Sequence, residues 1–122
     1  MFLHESGEMY LETIYVLTKS MNFVRSIDIS AHMGFSKPSV SRAVGLLRKS
    51  GYINVDKDGG ITLTESGMDT AKKIFERHTV ITNMLIQMGV APEVAAEDAC
   101  KMEHGISDTS LEAIKNFMSA QK

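Results

Sequence analysis

A chain of 122 residues, 43% hydrophobic and 23% charged, has the composition of an ordinary globular protein and excludes a disordered one. Its length suits one domain, or two small ones sharing a core. The formal net charge of −2, averaged over the chain, speaks against a nucleic-acid binder, and no apolar run approaches the roughly 20 residues a membrane helix needs.

Residues 1–12 show neither the basic start nor the apolar core of a signal peptide. One cysteine, Cys100, allows no internal disulfide, which fits a reducing cytoplasm. Met9, Tyr10, Ile14, Leu17 and Met21 recur at helical spacing and predict a first helix from Ser6, its cap, to about Ser20. A second helix is expected over 26–33, capped by Ser26 and broken by Gly34. Ser36-Lys37-Pro38 opens a third that reaches Lys49, because a proline in the first turn lacks only an N–H that would have had no partner. Gly51 stops it.

Tyr52-Ile53-Asn54-Val55 and Ile61-Thr62-Leu63-Thr64 alternate apolar and polar residues around Asp58-Gly59-Gly60, a hairpin signal. Thr64 then caps a long helix to about Met88, with a stripe of Ile74, Ile81, Leu85 and Met88, closed by Gly89. Pro92 opens a fifth helix to about His104. Ser107 or Asp108 caps a sixth through Leu111, Ile114 and Met118. The fold class expected is mainly α with a small β-hairpin, and any domain boundary lies inside the long helix.

Two short helices around a glycine turn, followed by a hairpin, describe a winged helix-turn-helix. Ser30 is small where the two helices approach, and Ile29, Met33, Phe35, Val40 and Ala43 close a small core. That leaves Lys37, Ser39, Ser41 and Arg42 outward on the third helix, as reading a major groove requires. The charge is unevenly spread. No acidic residue lies between Asp28 and Asp56, while Lys37, Arg42, Arg48 and Lys49 supply four positive charges and leave −6 for the rest. The DNA-contacting set expected is Ser36, Lys37, Pro38, Ser39, Ser41, Arg42 and Arg48, with Lys57 at the hairpin tip near a phosphate. Such cations also serve simply to solvate a helix face.

Cys100, Glu103 and His104 stand at i, i+3 and i+4, so thiolate, carboxylate and imidazole share a helical face and suit a first-row transition metal. Met9 and Glu12 share a face of the first helix, and His78 lies beside the stripe of the long one. Each also has a plain structural use: cysteine as a small buried hydrophobe, methionine as core, histidine as a hydrogen-bonded helix residue.

Several segments recur in the order of a known family: Glu8-Met9-Tyr10-Leu11-Glu12-Thr13-Ile14-Tyr15, the Ser36 to Leu47 helix, Leu63-Thr64 with Gly67, Glu76-Arg77-His78, and Cys100-x-x-Glu103-His104. Together they resemble the diphtheria-toxin-repressor family of iron- and manganese-dependent transcriptional regulators. The resemblance spans nearly the whole chain. It implies a homodimeric, cytoplasmic winged-helix repressor with a divalent-metal corepressor, acting on palindromic operators of metal-uptake genes. It also implies a DNA-binding domain over 1–70 and a helical metal-binding and dimerisation domain over 71–122. Iron-type members often carry a further SH3-like domain, so the chain looks like the short form.

Residue by residue, Met9, Cys100, Glu103 and His104 match the primary site of iron-type members. Their ancillary site has a counterpart at His78, but its other two ligand positions are Thr82 and Ala96, which departs from the pattern. Manganese-type members have a binuclear site to which Glu12 and His78 correspond, with Cys100 and Glu103 shared; there Met9 and Cys100 would be carboxylates. The set is a hybrid, and its thioether and thiolate favour Fe²⁺ over Mn²⁺, with other divalent transition metals binding in vitro. The rival expectations are a winged-helix regulator sensing a non-metal signal, a helical interaction module, and a small metalloenzyme. The enzyme reading lacks an H-E-x-x-H motif or a nucleophile–base pair.

Overall fold

The computed structural model describes residues 5–120; the first four residues of the segment expected to lack a signal peptide lie outside that range. Eight elements follow in order: α1 (Glu5–Ser20), α2 (Ser26–Met33), α3 (Lys37–Lys49), β1 (Ile53–Val55), β2 (Ile61–Leu63), α4 (Glu65–Gln87), α5 (Pro92–Met102) and α6 (Asp108–Ala120). The chain forms two compact units, Met1–Lys72 and Lys73–Lys122, divided within α4. No helix among the described residues is long and apolar enough to cross a membrane.

In the first unit, Leu11, Ile14, Ile29, Val40 and Ile53 are almost fully buried and form the centre. Val44 and Leu47 add the next turns of α3 to that face. Phe35, expected inside this core, is 41% exposed and lies at its rim, its ring 5.8 Å from that of Tyr10. The α2–α3 turn is fixed by Gly34, at φ 74°, and by the Ser30 hydroxyl, which donates to the Phe35 carbonyl at 2.6 Å. A left-handed residue at that point lets a short helix end within one peptide.

The caps differ from expectation at two places. Ser6 lies inside α1 rather than capping it. Arg25, not Ser26, occupies the N-cap of α2, where the Asp28 carboxylate accepts from the Arg25 main-chain N–H at 2.9 Å. An acidic side chain in the first turn suits the positive end of the helix, and that wins over the serine. Ser36 caps α3 as expected, accepting from the Ser39 N–H at 3.3 Å. The helix ends at Lys49, and Gly51, at φ 85°, turns the chain, with Tyr52 N–H reaching the Leu47 carbonyl at 3.0 Å and Gly51 N–H the Arg48 carbonyl at 3.1 Å.

β1 and β2 pair antiparallel with Ile53 opposite Leu63 and Val55 opposite Ile61. Asp56 organises the tip, its Oδ1 accepting from the N–H groups of Asp58 and Gly60 at 2.9 and 2.8 Å. Val24 adds a single bridge to Ile61, so the hairpin is tied to the body of the unit. The Thr64 hydroxyl closes the unit by accepting from Gly67 N–H at 3.0 Å while donating to the Gly51 carbonyl at 2.7 Å.

In the second unit, Ile81, Ala99 and Leu111 are the buried centre, flanked by Val80, Met84, Leu85 and Ile106. Met88, expected in the α4 stripe, follows the end of that helix and is 73% exposed. Met88 N–H still bonds the Met84 carbonyl at 3.0 Å, and Gly89, at φ 101°, then turns the chain out of the helix. α5 ends at Met102 rather than His104. Ser107 caps α6, accepting from Ser110 N–H at 3.1 Å.

Candidate metal centre

The second unit gathers three of the expected ligands. Glu103 caps the C-terminus of α5 with helical angles, its N–H still bonded to the Ala99 carbonyl at 2.9 Å. Its side chain is fully buried. The Glu103 Oε2 stands 3.0 Å from His78 Nδ1, and Oε1 stands 3.3 Å from His104 Nε2. The His104 side chain is 2% exposed and that of His78 26%, so the cluster is closed on one side and open on the other.

A carboxylate withdrawn from water costs several kcal/mol, on the order estimated for any buried ion, unless an opposite charge compensates it. A divalent cation supplies such a charge, and imidazole and carboxylate are the donors it takes. On donor chemistry and burial, the residues fit a divalent transition metal.

Cys100 is half-buried on the last turns of α5, one turn before Glu103. Helical spacing therefore holds as far as Glu103, while His104 belongs to the turn beyond the helix. In the first unit, Met9 and Glu12 are half-buried on α1 and share one of its faces. Thr82, one turn after His78, has a buried hydroxyl oxygen with no hydrogen-bond partner.

The expected DNA-contacting residues lie on one unit. Lys37, Pro38, Ser41, Arg42, Arg48 and Lys49 are exposed on α3, opposite the buried Val40, Val44 and Leu47. Ser36 and Ser39 are turned inward to each other, Ser36 donating to the Ser39 hydroxyl at 2.9 Å. Their hydroxyls are committed to the cap. Lys57 is exposed in the hairpin tip.

Residues 2–61 match the family described as iron dependent repressor, N-terminal DNA binding domain, and residues 64–122 match its metal binding and dimerisation domain. The chain belongs to the iron dependent repressor family. It is thus a metal-dependent transcriptional regulator by family, with a winged helix-turn-helix and a helical dimerisation domain, and its relatives are regulators rather than enzymes. An uncharacterized HTH-type transcriptional regulator of Methanocaldococcus jannaschii is 36% identical over 122 residues, covering 98% of both chains. The transcriptional regulator MntR of Escherichia coli O157:H7 is 35% identical over 88% of this chain and 70% of its own length.

Among solved structures, the manganese regulator SloR matches with a TM-score of 0.83 and 28% identity over 98% of this chain. The chain spans 55% of that repressor-family structure. The structure described as T. acidophilum IdeR shares the fold at a TM-score of 0.81 and 22% identity.

One contributor enters the sequence reading only as part of the Glu76-Arg77-His78 segment, with no role assigned to it. Arg77 lies half-buried on α4 and donates through Nη1 to the carbonyls of Glu103 and Ile106 at 3.0 and 2.8 Å. Its Nη2 also donates to the Asp108 carboxylate. Its partners are 26 to 31 residues away in sequence, so no local spacing signals them.

Proposed function

We propose that this member of the iron dependent repressor family is a homodimeric repressor that binds operator DNA when loaded with Fe²⁺, Mn²⁺ being the alternative metal. The observation that carries the reading is the buried Glu103 carboxylate flanked by His78 and His104. The full ligand set proposed is Met9, Glu12, His78, Cys100, Glu103 and His104. Met9 and Cys100 supply soft donors, which favour Fe²⁺ over Mn²⁺. The manganese named for SloR is the reason to keep Mn²⁺ in the panel.

Residues 1–70 are assigned to DNA reading, and residues 71–122 to metal binding and dimerisation. Exposed Lys37, Ser41, Arg42 and Arg48 on α3 support the first assignment, with Lys57 at a phosphate. Exposed Ile86, Met88, Val94 and Phe117 in the second unit support a surface that a second copy covers. When bound, the metal supplies charge that neutralises the buried carboxylate. If metal tightens operator binding, operator must tighten metal binding by the same factor.

The test is anaerobic operator binding, read by fluorescence anisotropy on a palindromic candidate, across Fe²⁺, Mn²⁺, Co²⁺, Ni²⁺ and Zn²⁺. Anaerobic conditions keep the Cys100 thiol reduced. Equal affinity with and without every metal overturns the reading. Activation by Mn²⁺ with none by Fe²⁺ overturns the metal preference alone. A winged-helix regulator of a non-metal signal is the reading left standing in the first case.

A further inference from the structure

The connection from α5 to α6 carries both Glu103 and His104, and it contains no regular element between Met102 and Asp108. Short turns of this kind hold catalytic or ligating side chains in place only when their main chain is fixed elsewhere. Within this turn Gly105 N–H reaches the Met102 carbonyl at 3.2 Å, and Ile106 packs on the Ile81, Ala99 and Leu111 cluster.

Arg77 fixes it from outside. Its guanidinium bridges the carbonyl of Glu103, the carbonyl of Ile106 and the carboxylate of Asp108. Those three acceptors lie at the start of the turn, near its end, and in the first turn of α6. The next residue of the same helix, His78, faces the Glu103 carboxylate. Glu103 is therefore held at its main chain by one residue of α4 and met at its side chain by the next. A planar fork with five donors suits this task, whereas a lysine ammonium is a single point that reaches fewer of these acceptors at once.

We propose that Arg77 is a positioning residue of the metal centre, setting Glu103 and His104 in ligating geometry through the main chain of their turn before metal arrives. The proposal rests on the metal-binding reading above and names a residue outside its ligand set. Groups that orient ligands without touching the ion usually change metal affinity by about 10- to 100-fold when removed. A role confined to holding the fold would instead lower stability and leave the centre unchanged once folded.

The experiment is a Co²⁺ titration of the full chain, read by visible d–d absorption, beside metal-free thermal melts of the same samples. Arg77→Ala is expected to weaken Co²⁺ binding at least about tenfold and to alter the band shape, which reports the coordination geometry. Arg77→Lys, which keeps the charge and guards against a variant that does not fold, is expected to fall between Ala and wild type. Asp108→Ala, which leaves both carbonyl bonds, is expected to bind Co²⁺ as wild type does. Wild-type affinity and band shape in both Arg77 variants overturn the inference even if their melting points fall. A wild-type chain that takes up no Co²⁺ overturns the metal-binding reading itself, and this inference with it.

Discussion

The imidazole of His78 on α4 meets the carboxylate of Glu103 at the end of α5 at 3.0 Å, and that carboxylate is fully buried. Imidazole and carboxylate together are donors a divalent transition metal takes. Glu103→Gln keeps the shape of the side chain and takes away the carboxylate oxygen that a divalent cation binds. The gain from metal should vanish. A site present in the native state alone adds about 2.7 kcal/mol when the ligand is at 100 times its Kd. Melting curves with and without Co²⁺ check this, and a Gln variant that still rises with metal removes Glu103 from the ligand set.

Gly67, in the first turn of α4, has no room for a side chain. A Cβ there would lie 1.9 Å from the Tyr52 carbonyl oxygen, which accepts from Thr64 N–H at 3.1 Å, while Gly67 N–H is bound to the Thr64 hydroxyl. Neither partner is a flexible side-chain end that can move aside. Gly67→Ala is expected to cost at least about 3 kcal/mol, the upper end for overpacking, measured by urea unfolding. A cost below 1 kcal/mol would mean that α4 tilts freely on the hairpin.

The elements were legible because they are marked locally. Pro38, Gly51, the Asp58-Gly59-Gly60 tip, Thr64 and Pro92 each sit at or near a boundary that the backbone needs there. The errors came where two local signals competed. Ser26 is a good cap by type, but Asp28 can bond one residue further back and does. Met88 continues the spacing of Ile81 and Leu85, but the chain has already left the helix. For the site, the Cys100-x-x-Glu103-His104 spacing was visible, whereas the pairing of His78 with Glu103 spans 25 residues and only the fold reveals it. Arg77 was hidden for the same reason.

Gly45 lies in the middle of α3 on its exposed side, and a Cβ there would meet nothing within 4 Å. The fold does not ask for glycine at this place, and glycine within a helix costs about 0.5–1 kcal/mol relative to alanine. Its neighbours one turn either way are Ser41, Arg42, Arg48 and Lys49. A close approach of the helix to DNA is the use expected for a residue the folded chain would do better without. Gly45→Ala should raise stability by about 0.5–1 kcal/mol and weaken operator binding. Melting and anisotropy on the same preparations decide it. Greater stability with undiminished DNA affinity would place Gly45 outside the contact.

Arg42 points away from the buried side of α3 and, among the described residues, has no hydrogen-bond or ion-pair partner. Arg25 stacks on Phe23, at 4.7 Å from the ring centre, and Arg77 is committed to the α5–α6 turn. An unengaged fork on the exposed side of a reading helix suits bidentate contact with the O6 and N7 of a guanine. Arg42→Ala is expected to cost about 1–3 kcal/mol at one symmetric pair of operator positions and to relax the preference there. Lys37→Ala, by contrast, should weaken all sequences alike and lower the salt slope by about one. Binding to a panel of single-base operator variants at two salt concentrations separates the two patterns. If Arg42→Ala behaves like Lys37→Ala, with uniform loss and a shallower slope, Arg42 holds a phosphate and the base reading falls to Pro38 and Ser41.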